Sequence, residues 1–391
     1  MNITEPFTTT PITPDLLRGA VDLESTPQGL IVHRLPSWAR ARCVDPQLAM
    51  AESQPSGVRI AFRTTATVIE LDALPTKRVY VGLPARPDGV FDLVIDGDTV
   101  GQAVTSGGNR IITDMTAGTI VNESGAVATL RFDGLLDRAK NVEIWLPHNE
   151  NVELVSLRSN APIEPLNVPA RPTWLHYGSS ISQGSNATSP TGIWPAVAAS
   201  LAGVELTNFG FGGSALLDLF VAQVIRDTPA DQISLKIGIN LANSDVMRMR
   251  AFTSAVHGFV DTIRDGHPTT PLLVVSPTYC PIHEDTPGPG AFDPAAITEG
   301  RVQFIATGDP MEVAAGKLTL KTIREELARI VAQRAVDDPN LHYLDGRELY
   351  GQEDFAQLPL ADNLHPNAAA HERIGRRFAE RAFMDRVAGH R

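Results

Sequence analysis

The sequence predicts an α/β protein in two parts: an N-terminal jelly-roll-like β-sandwich and a C-terminal doubly wound parallel sheet. Three observations predict this fold class. Apolar residues alternate with polar ones over about 29–158, strand and helix patterns alternate after 173, and a proline-rich run separates the two regions. Repeated short strands are typical of a sandwich, whereas alternating strands and helices are typical of a parallel sheet.

The first part, residues 1–160, is predicted as the sandwich domain. Turn signals such as DG, SGG and ESG separate short β-branched segments, and no strong helical pattern interrupts them. The predicted strands are VRIAFRT, VIELDAL, KRVYVGL, FDLVIDG, NRIITDM, VATLRFDG, VEIWLPH and VELVSLRS. Residues 161–172 are rich in proline, which disfavours both helix and regular strand pairing, so we predict a linker there.

The second part, residues 173–391, alternates strand and helix patterns. The predicted strands are WLHYG, VELTNFG, ISLKIGIN, PLLVVSP and LHYLDG. The predicted helices are PAVAASLAG, ALLDLFVAQVIRD, FTSAVHGFVDTIRDG, LKTIREELARIVAQRAV and AAAHERIGRRFAERAF. In parallel sheets of this kind the working residues gather beyond the carboxyl ends of the strands.

Composition and charge exclude several classes of function. The chain has 391 residues and a net charge of −12, and its basic residues form no block, which argues against nucleic acid and anionic membranes as partners. No apolar run is long enough to span a membrane, and the N-terminus lacks the pattern of a secretory signal, so we expect a cytoplasmic protein. The histidines show no ligand spacing with cysteine or acidic residues, so no metal site is predicted.

Small and polar residues follow three of the predicted strands in the second part, and a fourth polar segment lies near the C-terminus. The segments are GSSISQG (178–184), NFGFGGS (208–214), GIN (238–240) and DNLHPN (362–367). Together they contain the parts of one reaction: a serine hydroxyl to attack, a histidine to take its proton, and an aspartate to orient the imidazole. The backbone N–H groups at Gly213 and near Ser180, with the side-chain amide of Asn240, are candidate donors to an oxyanion.

These segments, in this order, resemble the SGNH (GDSL-type) hydrolase superfamily. The matching positions are Gly178, Ser180, Ile181 and Gly184; Asn208, Gly210 and Gly213; Gly238 and Asn240; and Asp362, His365 and Pro366. The resemblance covers about 173–386 and implies a flavodoxin-like α/β/α fold. It also implies that Ser180 is the nucleophile, that His365 and Asp362 complete a catalytic triad, and that Ser180, Gly213 and Asn240 form the oxyanion hole, without a cofactor. Two positions depart from the family pattern, Ser179 and Leu241, where the family often has Asp.

The N-terminal part resembles, more loosely, the β-sandwich attached to some carbohydrate esterases of the superfamily. Such a domain binds sugar or braces the catalytic cleft, and the short proline-rich linker favours bracing. Ser179, Tyr177 and Trp194 are candidates for the substrate pocket, with core packing as the alternative for Trp194. The irregular stretch 279–304, which overlaps the candidate loop 281–312, is either a lid or a disordered surface loop.

The sequence therefore predicts a serine ester hydrolase that removes short acyl groups, acetyl above all, from a carbohydrate. Its expected partners are small-molecule or oligosaccharide esters, and the oligomeric state is left open. Two alternatives stay open at this point. One is a lipase or lysophospholipase of the same superfamily, and the other is a carbohydrate-binding protein whose hydrolase domain is inactive.

Overall fold

The structure is a computed structural model that describes residues 7–114, 116–166 and 171–383. Its contacts divide the chain into two compact units. Within the described residues, the first unit comprises 7–34, 52–166 and 189–191, and the second comprises 35–51, 171–188 and 192–383. Residues 35–51 thus group with the second unit, although the predicted domain limits placed them in the sandwich. Residues 167–170 of the predicted linker lie outside the described residues.

The first unit is built of β-strands. They are β1 (Thr8–Thr10), β2 (Leu17–Arg18), β3 (Asp22–Ser25), β4 (Leu30–His33), β5 (Arg59–Thr64), β6 (Ile69–Tyr80), β7 (Val90–Ile95), β8 (Asp98–Val104), β9 (Asn109–Asp114), β10 (Thr119–Glu123), β11 (Ala128–Phe132), β12 (Lys140–Trp145), β13 (Asn151–Ser159) and β14 (Ile163–Pro165). Each predicted strand falls on an observed one, and VIELDAL and KRVYVGL are two halves of the single strand β6. The start of the predicted linker is strand β14, which pairs with β5.

These strands form two sheets that share one apolar core. One sheet has the order β10-β9-β6-β13-β4-β3, with β1 beside β13 and β11 beside β6; the other has the order β14-β5-β12-β7-β8, with β2 beside β5. Side chains of both sheets, such as Phe62, Phe91, Leu71 and Leu154, are buried in the same cluster. The period-two alternation of the sequence produces this arrangement, because alternate side chains of a strand point to the same face. The N-terminal multi-strand β domain is confirmed.

Two helices between β4 and β5 were not predicted. They are α1 (Ser37–Arg40) and α2 (Pro46–Ser53). The signal for α2 was present: Asp45 accepts the N–H of Gln47 through its side chain at 2.9 Å, and Pro46 occupies the first helical position. An acidic cap followed by proline is a common way to begin a helix.

The second unit alternates strands and helices. Its strands are β15 (Thr173–Gly178), β16 (Glu205–Gly210), β17 (Gln232–Lys236), β18 (Leu272–Val275), β19 (Gly290–Phe292), β20 (Phe304–Ala306) and β21 (Leu341–Leu344). Its helices beyond α2 are α3 (Ser180–Gln183), α4 (Trp194–Ala202), α5 (Leu219–Asp227), α6 (Ile239–Ser244), α7 (Met249–Gly266), α8 (Pro294–Thr298), α9 (Leu320–Arg334), α10 (Gln352–Gln357) and α11 (Ala368–Ala382).

The parallel sheet has the order β16-β15-β17-β18-β21, which is the 2-1-3-4-5 order of flavodoxin-like folds. The predicted doubly wound sheet is therefore confirmed. Strand order reverses between β15 and β17, and ligands of such sheets bind at this point beyond the carboxyl ends of the strands. The GSSISQG segment follows β15 directly, so the fold delivers it to this position.

Aromatic side chains fill one face of this sheet. Trp174 stacks on Phe378 of α11 with ring centroids 4.9 Å apart, and it contacts Trp194 of α4 at 6.1 Å. Both tryptophans are fully buried. Within residues 7–114, 116–166 and 171–383, no helix is long and apolar enough to cross a bilayer.

Candidate active site

The GSSISQG segment turns the end of β15 into a short helix, which explains its adjacent serines. Ser179 is the N-cap of α3, and its hydroxyl accepts the N–H of Ile181 at 3.3 Å. Ser180 is the first helical residue and is half-buried, whereas Ser179 is 1% exposed. A capping hydroxyl satisfies one of the free N–H groups at a helix start. The two serines therefore have different surroundings: Ser179 holds the turn, whereas the half-buried Ser180 places its hydroxyl beside His365.

The DNLHPN segment forms a tight loop before α11. The Asp362 Oδ1 atom accepts the backbone N–H of His365 at 2.7 Å and of Leu364 at 3.0 Å. Asn363 has a φ of 68°, and the side chain of Asn367 caps α11 by accepting the N–H of Ala370. The loop is thus wound so that the side chains of Asp362 and His365 lie side by side.

The tertiary structure brings Ser180, His365 and Asp362 together. The Ser180 Oγ lies 2.9 Å from Nε2 of His365, and Nδ1 of the same ring lies 2.7 Å from Asp362 Oδ2. His365 is only 9% exposed. Asn186 donates a further hydrogen bond of 3.2 Å to Asp362 Oδ2. This is the geometry that nucleophilic catalysis by serine requires, since the ring can accept the hydroxyl proton at one nitrogen while the other is held.

The environment of Asp362 favours its ionised form. Burial alone would raise the pKa of this carboxyl, but the His365 side chain and the backbone N–H groups of His365 and Leu364 outweigh that effect and lower it. A carboxylate that accepts several hydrogen bonds stays charged. Asp362 can therefore stabilise the imidazolium that forms when His365 takes a proton.

Gly213 and Asn240 are both connected to the loop that adjoins Ser180. Gly213 has a φ of 77°, in the left-handed region that favours glycine. The preceding residue, Gly212, lies next to Ser180, because a Cβ built on Gly212 would be 3.6 Å from the Ser180 Cβ. Asn240, 4% exposed, accepts the N–H of Ala215 through Oδ1 at 3.1 Å. That bond assigns the oxygen side of the amide and leaves Nδ2 as the donor of the side chain.

The remaining residues of the second glycine segment have structural roles. Asn208 donates to the Ser182 carbonyl at 3.0 Å and accepts the N–H of Gly210 at 3.0 Å. A Cβ on Gly210 would lie 2.4 Å from the backbone nitrogen of Gln183, so only glycine allows this close approach. The Gln183 side chain in turn accepts the N–H of Gly212 at 2.6 Å. The loop that carries Gly213 is thus attached to the helix that carries Ser180.

A buried polar chain supports α3 from the sheet. His176 Nε2 lies 2.8 Å from the Ser182 hydroxyl, and its Nδ1 lies 2.7 Å from the Ser234 hydroxyl. Trp174 donates its indole N–H to the same Ser234 hydroxyl at 2.8 Å. Burial lowers the pKa of His176 well below its ordinary value, so the ring is neutral. It connects the Ser234 hydroxyl to the Ser182 hydroxyl through its two nitrogens.

The structure does not bring Tyr177 or Trp194 to a surface that substrate can reach. Tyr177 is 1% exposed, and its hydroxyl accepts the N–H of Leu217 at 3.1 Å. Trp194 is fully buried and packs edge-on against His176 at 4.7 Å. Tyr177 packs on Phe259 of α7 and Trp194 on Phe378 of α11, so both side chains lie in the core. The buried Ser179 caps its helix. The core alternative for Trp194 therefore fits the geometry.

The stretch 279–304 contains a feature that the sequence did not reveal. Strands β19 and β20 pair as a hairpin, and Phe292 packs against Phe304 with ring centroids 5.0 Å apart. Phe304 donates its backbone N–H to the Asp362 carbonyl at 2.9 Å, and its ring meets the His365 ring edge-on at 5.7 Å. The hairpin thus packs on the loop that carries the histidine. A lone Phe in an irregular stretch carries no sequence signal for this role.

Across the described residues, His, Cys, Asp and Glu side chains form no group of three placed to bind a metal ion.

Comparison with protein families identifies the second unit. The model of the GDSL-like lipase/acylhydrolase family matches residues 176–373 of the 391-residue chain, just over half of it. The chain belongs to the GDSL-like lipase/acylhydrolase family. The resemblance to SGNH hydrolases is therefore confirmed. The matched region of this acylhydrolase-family protein spans Ser180, His365 and Asp362, and membership supports hydrolysis of acyl esters as its reaction class.

Solved structures extend the likeness over the whole acylhydrolase chain. The salicylyl acyltransferase SsfX3 from a tetracycline biosynthetic pathway is 27% identical, with 98% of each chain covered and a TM-score of 0.78. A protein described as a GDSL-like lipase from Bacteroides ovatus is 20% identical, with 97% of this chain and 98% of that chain covered and a TM-score of 0.68. A family two carbohydrate esterase from Clostridium thermocellum is 12% identical, with 95% and 99% covered and a TM-score of 0.58. Comparison with curated proteins gives no significant match.

Proposed function

We propose that the protein is a serine esterase that removes short acyl groups, acetyl first among them, from a carbohydrate. One observation carries the reaction type: Ser180 Oγ, His365 and Asp362 form an unbroken chain of contacts at 2.9 and 2.7 Å. The short acyl group and the sugar are supported by the SGNH resemblance and by the sandwich domain. The match to a carbohydrate esterase at 12% identity supports the fold alone.

The first half of the proposed reaction forms an acyl-enzyme. Ser180 Oγ attacks the ester carbonyl carbon while His365 Nε2 takes the hydroxyl proton. The carbonyl oxygen becomes an oxyanion, which accepts hydrogen bonds from the backbone N–H groups of Ser180 and Gly213 and from Asn240 Nδ2. When the C–O bond to the alcohol breaks, the same Nε2 returns its proton to the leaving oxygen. Asp362 holds the Nδ1–H throughout.

The second half releases the acyl group. Water replaces the alcohol, His365 takes a proton from it, and the resulting hydroxide attacks the acyl-enzyme carbonyl. The tetrahedral intermediate uses the same oxyanion donors, and its collapse returns the proton from His365 to Ser180 Oγ. Acid and free enzyme result, so atoms and protons balance without a cofactor.

The similarity to the salicylyl acyltransferase favours a second candidate function. In acyl transfer, an acceptor alcohol takes the place of water in the second half, and every earlier step is the same. The two functions therefore differ only in what attacks the acyl-enzyme. Partition of a p-nitrophenyl ester between hydrolysis and transfer to added sugar or phenolic alcohols measures this difference directly.

Three measurements test the primary proposal. A fluorophosphonate probe should label the wild-type protein on Ser180 and leave Ser180→Ala unlabelled. p-Nitrophenyl acetate should be hydrolysed with a higher kcat/KM than the octanoate, whereas a preference for octanoate would support the lipase alternative. Acetylated oligosaccharides should release acetate. Absence of both labelling and turnover in the folded protein would leave the inactive carbohydrate-binding alternative.

A further inference from the structure

The segment 45–47, which the sequence placed in the sandwich, contacts the glycine loop beside Ser180. Gln47 Nε2 donates to the Gly212 carbonyl at 2.8 Å. Asp45 accepts the Ser214 hydroxyl through Oδ2 at 3.3 Å, and its other oxygen holds the N–H of Gln47. Both contacts lie within the second unit, to which residues 35–51 belong. The start of α2 is therefore attached to this loop at two points.

The hydrogen bond from Gln47 acts on one particular peptide group. The Gly212 carbonyl and the Gly213 N–H belong to the same planar trans peptide, in which C=O and N–H point in opposite directions. A donor that holds the carbonyl on one side therefore orients the N–H toward the other side. The hydrogen bond from Gln47 also withdraws electron density from the Gly212 carbonyl. Polarisation of this kind strengthens the hydrogen bond that the Gly213 N–H can donate.

The position of Gln47 agrees with this relation. A Cβ built on Gly213 would lie 3.2 Å from Gln47 Cγ and 3.2 Å from its Nε2, so the glutamine covers one face of the glycine. The nucleophile adjoins the same loop at the neighbouring residue, because a Cβ on Gly212 would lie 3.6 Å from the Cβ of Ser180. The Gly212–Gly213 peptide thus has Gln47 beside Gly213 and Ser180 beside Gly212.

We propose that Gln47 is a positioning residue that orients the Gly213 N–H toward the oxyanion through its hydrogen bond to the Gly212 carbonyl. This proposal rests on the proposed esterase function. Gln183 also holds Gly212, but it does so through the Gly212 N–H, which belongs to the preceding peptide. Gln47 therefore controls the Gly213 N–H without touching the substrate.

The test compares Gln47→Leu and Gln47→Glu with a matched control, Gln223→Leu. The leucine removes the donor and keeps the side-chain size, and the carboxylate of Glu cannot donate and repels the Gly212 carbonyl. Gln223 is a suitable control because its Oε1 accepts Arg42 at 2.8 Å, which is another exposed bond between the 35–51 segment and the rest of the unit. Its loss leaves the Gly212–Gly213 peptide untouched, so Gln223→Leu should retain wild-type kcat.

Both Gln47 variants should lower kcat for p-nitrophenyl acetate by about three- to tenfold, the effect of one ordinary hydrogen bond, with little change in KM. Binding of a trifluoromethyl ketone, whose adduct with Ser180 carries an oxyanion, should weaken by the same factor. A kcat equal to that of Gln223→Leu, or a change confined to KM, would overturn the positioning role while the esterase proposal stands. A wild-type protein without turnover dependent on Ser180 would overturn both.

Discussion

Replacement of Asp362 by Asn tests whether this carboxylate sets the tautomer of His365. Asp362 Oδ1 accepts two backbone N–H groups, from His365 at 2.7 Å and from Leu364 at 3.0 Å. Those donors require an oxygen, so an Asn amide must turn its oxygen toward them and its NH₂ toward the His365 Nδ1. Nδ1 then has to accept a hydrogen bond, and the ring proton moves to Nε2. A protonated Nε2 cannot take the proton of Ser180.

The expected loss in kcat of Asp362→Asn follows from this change of tautomer. In serine proteases the same substitution retains the geometry and lowers kcat by about 10⁴. At about 1.4 kcal/mol for each factor of ten, this is about 5.5 kcal/mol of transition-state stabilisation. The contacts of 2.7 and 2.9 Å on the two ring nitrogens place His365 in the same relation to its neighbours. We therefore expect Asp362→Asn to lower kcat about 10³- to 10⁴-fold and to change KM little.

The assay is steady-state hydrolysis of p-nitrophenyl acetate, with Asn186→Gly as the control, because glycine tolerates the φ of 66° at this position. Asn186 donates to the same carboxylate at 3.2 Å, so its loss removes one contact of Asp362 without affecting the tautomer, and the expected loss in kcat is below about tenfold. If folded Asp362→Asn retains more than about a tenth of the wild-type kcat, the tautomer argument fails.

The Asp362→Asn variant should also differ from the wild-type protein in how its Tm depends on pH. The folded-state pKa of Asp362 is below its ordinary value, so its ionised form stabilises the fold at neutral pH. That contribution is lost as the pH falls through the folded-state pKa. The Tm of Asp362→Asn should therefore decrease less steeply on acidification than the Tm of the wild-type protein. Parallel decreases would show that Asp362 contributes nothing to the acid sensitivity.

Three further predictions concern the surroundings of the site. Phe304→Ala removes the ring beside His365 and opens space there, so the ratio of octanoate to acetate kcat/KM should rise; an unchanged ratio would show that the hairpin does not limit the acyl group. Gly213→Ala places a Cβ at a φ of 77° and 3.2 Å from Gln47, so kcat should fall by about 10²-fold or more while Ser180 still reacts with the fluorophosphonate; normal kcat would exclude Gly213 from the oxyanion hole. Lys236→Met should raise the free energy of unfolding at pH 7 by up to about 3 kcal/mol, with a smaller gain at pH 10, as measured by urea unfolding.

The direction in which Lys236→Met changes the free energy of unfolding follows from the burial of Lys236. Burial, reinforced by the charge of Arg324, lowers the pKa of Lys236 from 10.5 to about 8. At pH 7 the ammonium is charged in both folded and unfolded chains, so the folded protein bears the cost of desolvation. Between pH 8 and 10.5 the unfolded chain holds more protons than the folded one, and wild-type stability rises with pH relative to the variant. A gain that is constant with pH would contradict this account.

The parallel sheet could be predicted because its information is local. The spacing of apolar residues over a short segment predicts a strand such as β15 and a helix such as α11. The sandwich strands followed from period-two alternation for the same reason. The helix α2 was missed because its mixed composition lacks an apolar stripe, although Asp45 and Pro46 marked its start.

The site residues Ser180, Gly213, Asn240, Asp362 and His365 were chosen from the sequence because four short segments occur in a characteristic order. The pocket candidates Tyr177 and Trp194 were chosen only for their nearness in sequence to Ser180, and the structure buries both. Successive side chains point to opposite faces of a strand and rotate around the axis of a helix. Sequence proximity to a nucleophile therefore does not tell whether a side chain faces the substrate or the core.

The amino-acid sequence by itself determined the two-part architecture and the residue types available for acyl transfer, since both are expressed in short, contiguous patterns. Only the tertiary structure decided which distant side chains surround them. It placed Gln47 on the Gly212 carbonyl and Phe304 against His365, across separations of 165 and 61 residues. Contacts of that kind arise from the packing of whole elements. The sequence around a single exposed glutamine or half-buried phenylalanine does not predict which distant residue it will contact.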